Sequence, residues 1–159
     1  MPVKDGEVEV RPILPDDGPA LIELIRRAAP EDLRSRFHGA VRELPPVVIE
    51  RLTHIDVDHE MALVALIDRQ IVCVARLVGD EEDASTAEFA LAVRTDQQRR
   101  GIGREMLRRL LRYAAARAYR RVWGMVEVEN ERMLGLAREL GFRAEGVADH
   151  GEIRVSLEL

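Results

Sequence analysis

The chain has 159 residues, about one domain's worth, and its 47% hydrophobic and 33% charged residues exclude a disordered or fibrous protein. No apolar run approaches the roughly 20 residues of a membrane span, and residues 1–7 lack the apolar stretch of a secretory signal, so neither is expected. The net charge of −5 disfavours nucleic acid as the main partner, and the single cysteine, Cys73, cannot form an internal disulfide, which predicts a reducing, cytoplasmic setting.

Taken in chain order, residues 7–13 alternate charged and apolar side chains and predict a short strand. Asp16-Asp17-Gly18-Pro19 opens a helix with Leu21, Leu24 and Ile25 on one face, ended by Pro30. Residues 31–44 read as irregular or weakly helical, and Pro45-Pro46 opens a second short helix. Residues 61–67, 71–78 and 86–93 predict three consecutive antiparallel strands, the first two joined by Asp68-Arg69-Gln70. An amphipathic helix is expected over 101–118, a strand over 122–128, and a helix over 130–140 stopped by Gly141. Strands over 142–147 and 152–157 close the chain across Asp149-His150-Gly151. The order β-α-α-β-β-β-α-β-α-β-β describes a single α/β or α+β domain with a mixed sheet.

Charge is uneven. Of 24 basic residues, only Lys4 is lysine, and ten arginines fall between Arg94 and Arg121 against Asp96 and Glu105. A local cationic stretch on an acidic protein suits a small polyanion better than a long nucleic-acid track. The stretch contains a strand end, a polar turn and a glycine-opened helix: Val93, then Gln98-Arg99-Arg100-Gly101-Ile102-Gly103-Arg104. Glycine allows close backbone approach, and the first helical N–H groups carry the positive end of the helix dipole, which makes a phosphate site. The dinucleotide fingerprint G-x-G-x-x-G and the P-loop both fail here, because Met106 follows two residues beyond Arg104 and no G-K-[ST] occurs.

Gln98-x-x-Gly101-x-Gly103 after a strand resembles the Q/R-x-x-G-x-G/A signature of the GNAT acyltransferase superfamily. A second block, Asn130, Met133, Leu136 and Leu140-Gly141-Phe142, fits it too, and the likeness covers essentially the whole chain. A closer resemblance is to bacterial Pat-type protein lysine acetyltransferases. It is carried by Val10-Arg11-Pro12-Ile13, Pro30-Glu31-Asp32-Leu33-Arg34-Ser35-Arg36-Phe37, Leu52-Thr53-His54-Ile55-Asp56, residues 60–65 and residues 87–93. Those proteins usually carry this domain fused to a larger one, so residues 1–159 are expected to be one domain, stand-alone or excised from a longer chain.

The resemblance implies a GNAT fold: a mixed, mostly antiparallel sheet of about seven strands, flanked by about four helices and splayed between the fourth and fifth strands. It implies acetyl-CoA as donor, with pantetheine against the backbone of Leu91, Ala92 and Val93. The pyrophosphate would take N–H groups around Gln98, Arg99, Arg100, Gly101, Ile102, Gly103 and Arg104, and Asn130 and Met133 would line the far side near the thioester. It further implies a protein acceptor bearing a reactive lysine, such as an acyl-CoA synthetase; from charge, hydropathy and residue spacing, no nucleic acid, membrane or metal is expected to take part.

Transfer to a lysine needs a free amine, and a base is useful because the ammonium has a pKa of about 10.4. Glu88, mid-strand in an apolar stretch and on the face of Ala90 and Ala92, is the expected catalytic residue; a structural pair with Arg76 is the alternative. The position where many GNAT enzymes carry a tyrosine acid is Ala137, so chemistry without that acid is expected. Cys73 reads as inert core, the His54-x-Asp56-x-Asp58-His59 run as a solvated loop rather than a metal site, and Glu127 and Glu129 as surface carboxylates or alternative bases. Competing functions are acetylation of a small amine or an N-terminus, and a non-catalytic acyl-CoA-binding module.

Overall fold

A computed structural model describes residues 2–3, 6–28, 45–98, 101–149 and 151–159. The Pat-like segment from Pro30 to Phe37, the Pro30 stop and the stretch 31–44 lie outside the described residues. After a minimal pairing of Pro2–Val3 with Gly6–Glu7, the elements are β1 (Glu9–Pro12), α1 (Gly18–Arg27), α2 (Pro46–Thr53), β2 (Glu60–Ile67), β3 (Gln70–Gly79), β4 (Thr86–Val93), α3 (Ile102–Ala116), β5 (Arg121–Glu127), α4 (Glu131–Glu139), β6 (Arg143–Asp149) and β7 (Glu152–Glu158). The seven strands form one sheet in the order β1-β2-β3-β4-β5-β7-β6, antiparallel throughout except for β4 and β5. Among the described residues no helix is long and apolar enough to cross a membrane.

The period-2 pattern sorts side chains onto two faces. Ala62, Val64 and Leu66 of β2 pack under Leu21, Leu24 and Ile25 of α1 and Ile49 of α2. Leu77, Ala87, Phe89, Leu91 and Val93 point the other way, under Met106, Leu107 and Leu110 of α3 and Met133 and Ala137 of α4. Each large side chain buried this way stabilises the fold by roughly 1.5–3 kcal/mol. Cys73 is fully buried in the second layer.

Local chemistry fixes the element ends. Asp17 opens α1: its carboxylate accepts the Leu14 N–H at 2.6 Å and the Arg11 guanidinium at 2.7 and 2.8 Å. The expected three-residue turn between β2 and β3 is shorter, because Gln70 already pairs with Ile67. Asp68 and Arg69 alone make it, both at positive φ (50° and 64°), as a two-residue hairpin matched to the strand twist requires. The expected helix over 101–118 ends at Ala116, because Ala118 turns to φ 66° and the Tyr119 N–H bonds back to Ala114 O.

The feature that positions the site is the parallel pair. β4 and β5 are hydrogen-bonded only at Thr86–Arg121, Ala87–Val122 and Glu88–Trp123. Beyond Glu88 the strands part, while β4 stays paired to β3 as far as Val93 and β5 stays paired to β7 along its whole length. The ladder between β3 and β4 runs from Gly79–Ala87 to Cys73–Val93 without a bulge, so the face assignments along β4 hold. The expected sheet, its four helices among the described residues and the split between the fourth and fifth strands are thus all present.

Candidate active site

A groove of about 400 Å³ opens where the split meets the start of α3. That volume is in the range of small-molecule clefts. One wall is Val93 of β4, Gln97 and Gln98 of the turn, and Gly101, Gly103 and Arg104 of α3. The other is α4, through Glu131, Arg132, Gly135, Leu136 and Glu139.

The first wall suits phosphate. Gly101 sits at φ 82°, a left-handed conformation that glycine adopts freely, and it brings no side chain to cap the helix. The first ladder bond of α3 runs from the Glu105 N–H to Gly101 O at 3.1 Å, so the N–H groups of Ile102, Gly103 and Arg104 precede it. Gly103 lies where a Cβ would stand 3.4 Å from Leu91 Cδ2 and Val93 Cγ2 and 3.7 Å from Leu136 Cδ2, so any larger side chain would grow into the groove. The Gln98 side-chain nitrogen is buried with no hydrogen-bond partner among the described residues, an unmet donor in the groove wall. An anionic, elongated ligand answers each of these features.

Of the sequence-predicted donor residues, Gln98, Gly101, Gly103, Arg104 and Val93 come together around the groove. Ile102 is buried by its side chain and can offer only backbone. Leu91 is buried and turns its backbone toward the edge that β5 leaves free, while Ala92, half-buried on the opposite face of β4, turns its backbone toward β3. Asn130 caps α4, its Oδ1 accepting the Met133 N–H at 3.1 Å, and Met133 is 4% exposed in the core. Arg99 and Arg100 lie outside the described residues. The sequence reading named Leu136 only within the second block and missed the outward face of α4; the mid-helix Gly135 was the available signal.

The described arginines of the cluster are not a single patch. Arg94 pairs with Asp96 and with the Gln70 side chain, Arg109 and Arg112 reach Glu105, and Arg117 donates to the carbonyls of Val57 and Asp58. Arg104 lines the groove and spans it to Glu139 at 3.7 Å, an exposed pair that a bound anion can displace at little cost.

Glu88 occupies the opposite face of the sheet. It is half-buried, directly beside Trp123 in the last β4–β5 pair and opposite Val78 of β3. Arg76 is its diagonal neighbour and donates to Leu52 O at 2.6 Å. The Trp123 indole N–H is buried without a hydrogen-bond partner among the described residues, and the Arg154 guanidinium lies 4.0 Å over its ring. Ala137 is 1% exposed within the core, and Tyr113 and Tyr119 sit at or beyond the far end of α3, roughly 16 Å or more from its start at 1.5 Å per residue. Glu127 faces Glu152 across β5 and β7.

Comparison with known proteins places this arrangement. An acetyltransferase of Pseudomonas aeruginosa is 28% identical over 143 residues, covering 87% of this chain and 76% of that protein. The crystal structure of the GNAT domain of S. lividans PAT superposes with a TM-score of 0.90 at 24% identity, covering 100% of this chain and 95% of that one. The PaiA N-acetyltransferase of Thermoplasma acidophilum, solved in complex with coenzyme A, gives 0.74 at 18% identity over 96% and 99% of the two chains. Residues 20–142 match the model of the acetyltransferase (GNAT) family. The split sheet, the glycine-opened helix beside it and this match together make the chain a member of the GNAT acetyltransferases, enzymes that draw their acetyl group from acetyl-CoA.

Proposed function

We propose that this chain transfers acetyl from acetyl-CoA directly to a lysine side chain of a protein, an acyl-CoA-forming metabolic enzyme being the acceptor class. The observation that carries the reading is the two-sided split. The groove lies on the α3–α4 side, while Glu88 presents its carboxylate on the α1–α2 side, at the point where the sheet opens. Donor and acceptor can then meet through the gap without a covalent enzyme intermediate, and no serine, threonine, cysteine or lysine side chain lines the groove among the described residues.

In this reading the phosphates rest on the α3 N-terminus and the Gln98 amide, and pantetheine runs along the free edge of β4. Glu88, directly or through water, takes the proton that the acceptor ammonium must lose. The amine nitrogen then bonds to the thioester carbonyl carbon, gives up its second proton to solvent, and the C–S bond breaks. The departing thiolate, with a thiol pKa of about 8.5, takes its proton from solvent. Support for a protein acceptor comes from the Pat-type stretches along the chain, including residues 52–56 and 87–93.

The test is incubation with radiolabelled acetyl-CoA and a cell extract, followed by identification of the labelled protein and residue. Because Lys4 is the only lysine, self-labelling is confined to that residue and the α-amine. Label on a lysine of an acyl-CoA synthetase is the expected result. Efficient turnover of a polyamine or aminoglycoside with no labelled protein would overturn the reading, and label confined to α-amines would redirect it to N-terminal acetylation.

A further inference from the structure

The two strands part under a specific plug. Phe89 and Gly124 are the residues immediately beyond the last β4–β5 pair, and both point to the α3–α4 side. The Phe89 ring lies flat over Gly124: a Cβ placed there would be 2.5 Å from Cε1 and 2.8 Å from Cδ1 and Cζ. Phe142 backs the ring at 5.1 Å between centroids, and Phe89 is 4% exposed. The apex of the split is therefore filled by one aromatic side chain, which only a glycine on β5 can accommodate.

We propose that Phe89, seated on Gly124, sets the acyl-chain length this enzyme accepts and holds it to acetyl. The inference rests on the donor placement given above but not on the identity of the acceptor. From Val93 at the groove to Phe89 is four residues of strand, about 13 Å at roughly 3.3 Å per residue, a distance a pantetheine arm spans. An acyl group carried along that edge ends against the ring. Acetyl stops short of it, while each added methylene must displace the ring, and Gly124, Phe142 and the core behind them leave it nowhere to move. An apolar pocket discriminates about 10- to 200-fold per methylene, so two extra carbons are enough for strong selection.

The experiment measures calorimetric affinities of acetyl-CoA, butyryl-CoA and free CoA for the parent, Phe89→Leu and Phe89→Ala. The parent is expected to bind acetyl-CoA at least tenfold more tightly than butyryl-CoA. The variants should lower that ratio by tenfold or more while free CoA binds as before. A parent that binds both thioesters equally overturns the proposal, as does a folded variant that keeps the parent ratio. Phe89→Leu retains most of the apolar volume and decides the matter if Phe89→Ala does not fold. A chain that shows the expected ratio yet labels no protein would defeat the acceptor reading alone, so the two failures are distinguishable.

Discussion

The Phe89 ring rests on Gly124 so closely that no side chain could stand between them, and this contact sits one residue past the last hydrogen-bonded pair of β4 and β5. A bulky residue on one strand and the smallest on its neighbour keep the sheet continuous below and open above. Gly124→Ala should accordingly destabilise the fold by about 1–3 kcal/mol through overpacking, and Phe89→Leu should restore part of the loss in the double variant. Urea unfolding of the four proteins checks this, and additive single effects would refute the coupling.

The two groove glycines should respond differently. Gly101→Ala meets nothing within 4 Å among the described residues, so its penalty is that of a left-handed backbone, about 1–2 kcal/mol. Gly103→Ala places its methyl at ordinary contact distance and should be nearly neutral for folding. Gly103→Glu puts a carboxylate into the phosphate cradle and should abolish acetyl-CoA binding in a folded protein. Calorimetry showing unchanged affinity for Gly103→Glu would remove the donor from this groove.

Glu88→Gln keeps the shape of the residue and removes the base. Turnover at neutral pH should fall by about 10²- to 10⁴-fold with acetyl-CoA affinity nearly intact. Raising the pH should recover part of the loss, since solvent then supplies free amine. A variant that matches the parent rate at pH 7 would make Glu88 structural and move attention to Glu127 and Glu129.

Two carboxylates predict the acid limit of stability. Burial alone would push the Glu60 carboxyl up, but the Arg51 fork at 2.9 and 3.2 Å, the Asp56 N–H and the charges of Arg51 and Arg76 outweigh it and hold it low. Asp17 is held low by the Arg11 fork and the Leu14 N–H against its burial. Both native values lie below the unfolded ones, about 3.9 for Asp and 4.3 for Glu. Their contribution is therefore complete above roughly pH 5 and is lost as the pH falls through the native values. Arg51→Met leaves Glu60 buried without its fork, which should cost about 1–3 kcal/mol at pH 7 and start acid unfolding at a higher pH. Urea midpoints that track the parent at neutral and acid pH would contradict this.

The sequence by itself determined the element order, the glycine-opened helix and the face on which Glu88 stands. Each of these is a local property: hydrophobic period, a positive-φ glycine and strand alternation do not depend on distant residues. Element ends were less legible, because the stops at Ala118 and Asp68-Arg69 are left-handed residues without the glycine that usually marks them. Tertiary structure decided which face of α4 makes the second wall of the groove. Gly135 in mid-helix was a local signal, but that it and Leu136 face the start of α3 follows from how Met133 and Ala137 bury against the sheet. It also dispersed the described arginines of the cluster, because a helical repeat of 3.6 residues turns side chains around the axis, Arg104 toward Glu139 and Arg109 and Arg112 toward Glu105. The apex was decided the same way: Phe89 and Gly124 are 35 positions apart, and only the parallel register brings the ring over the one residue that leaves it room.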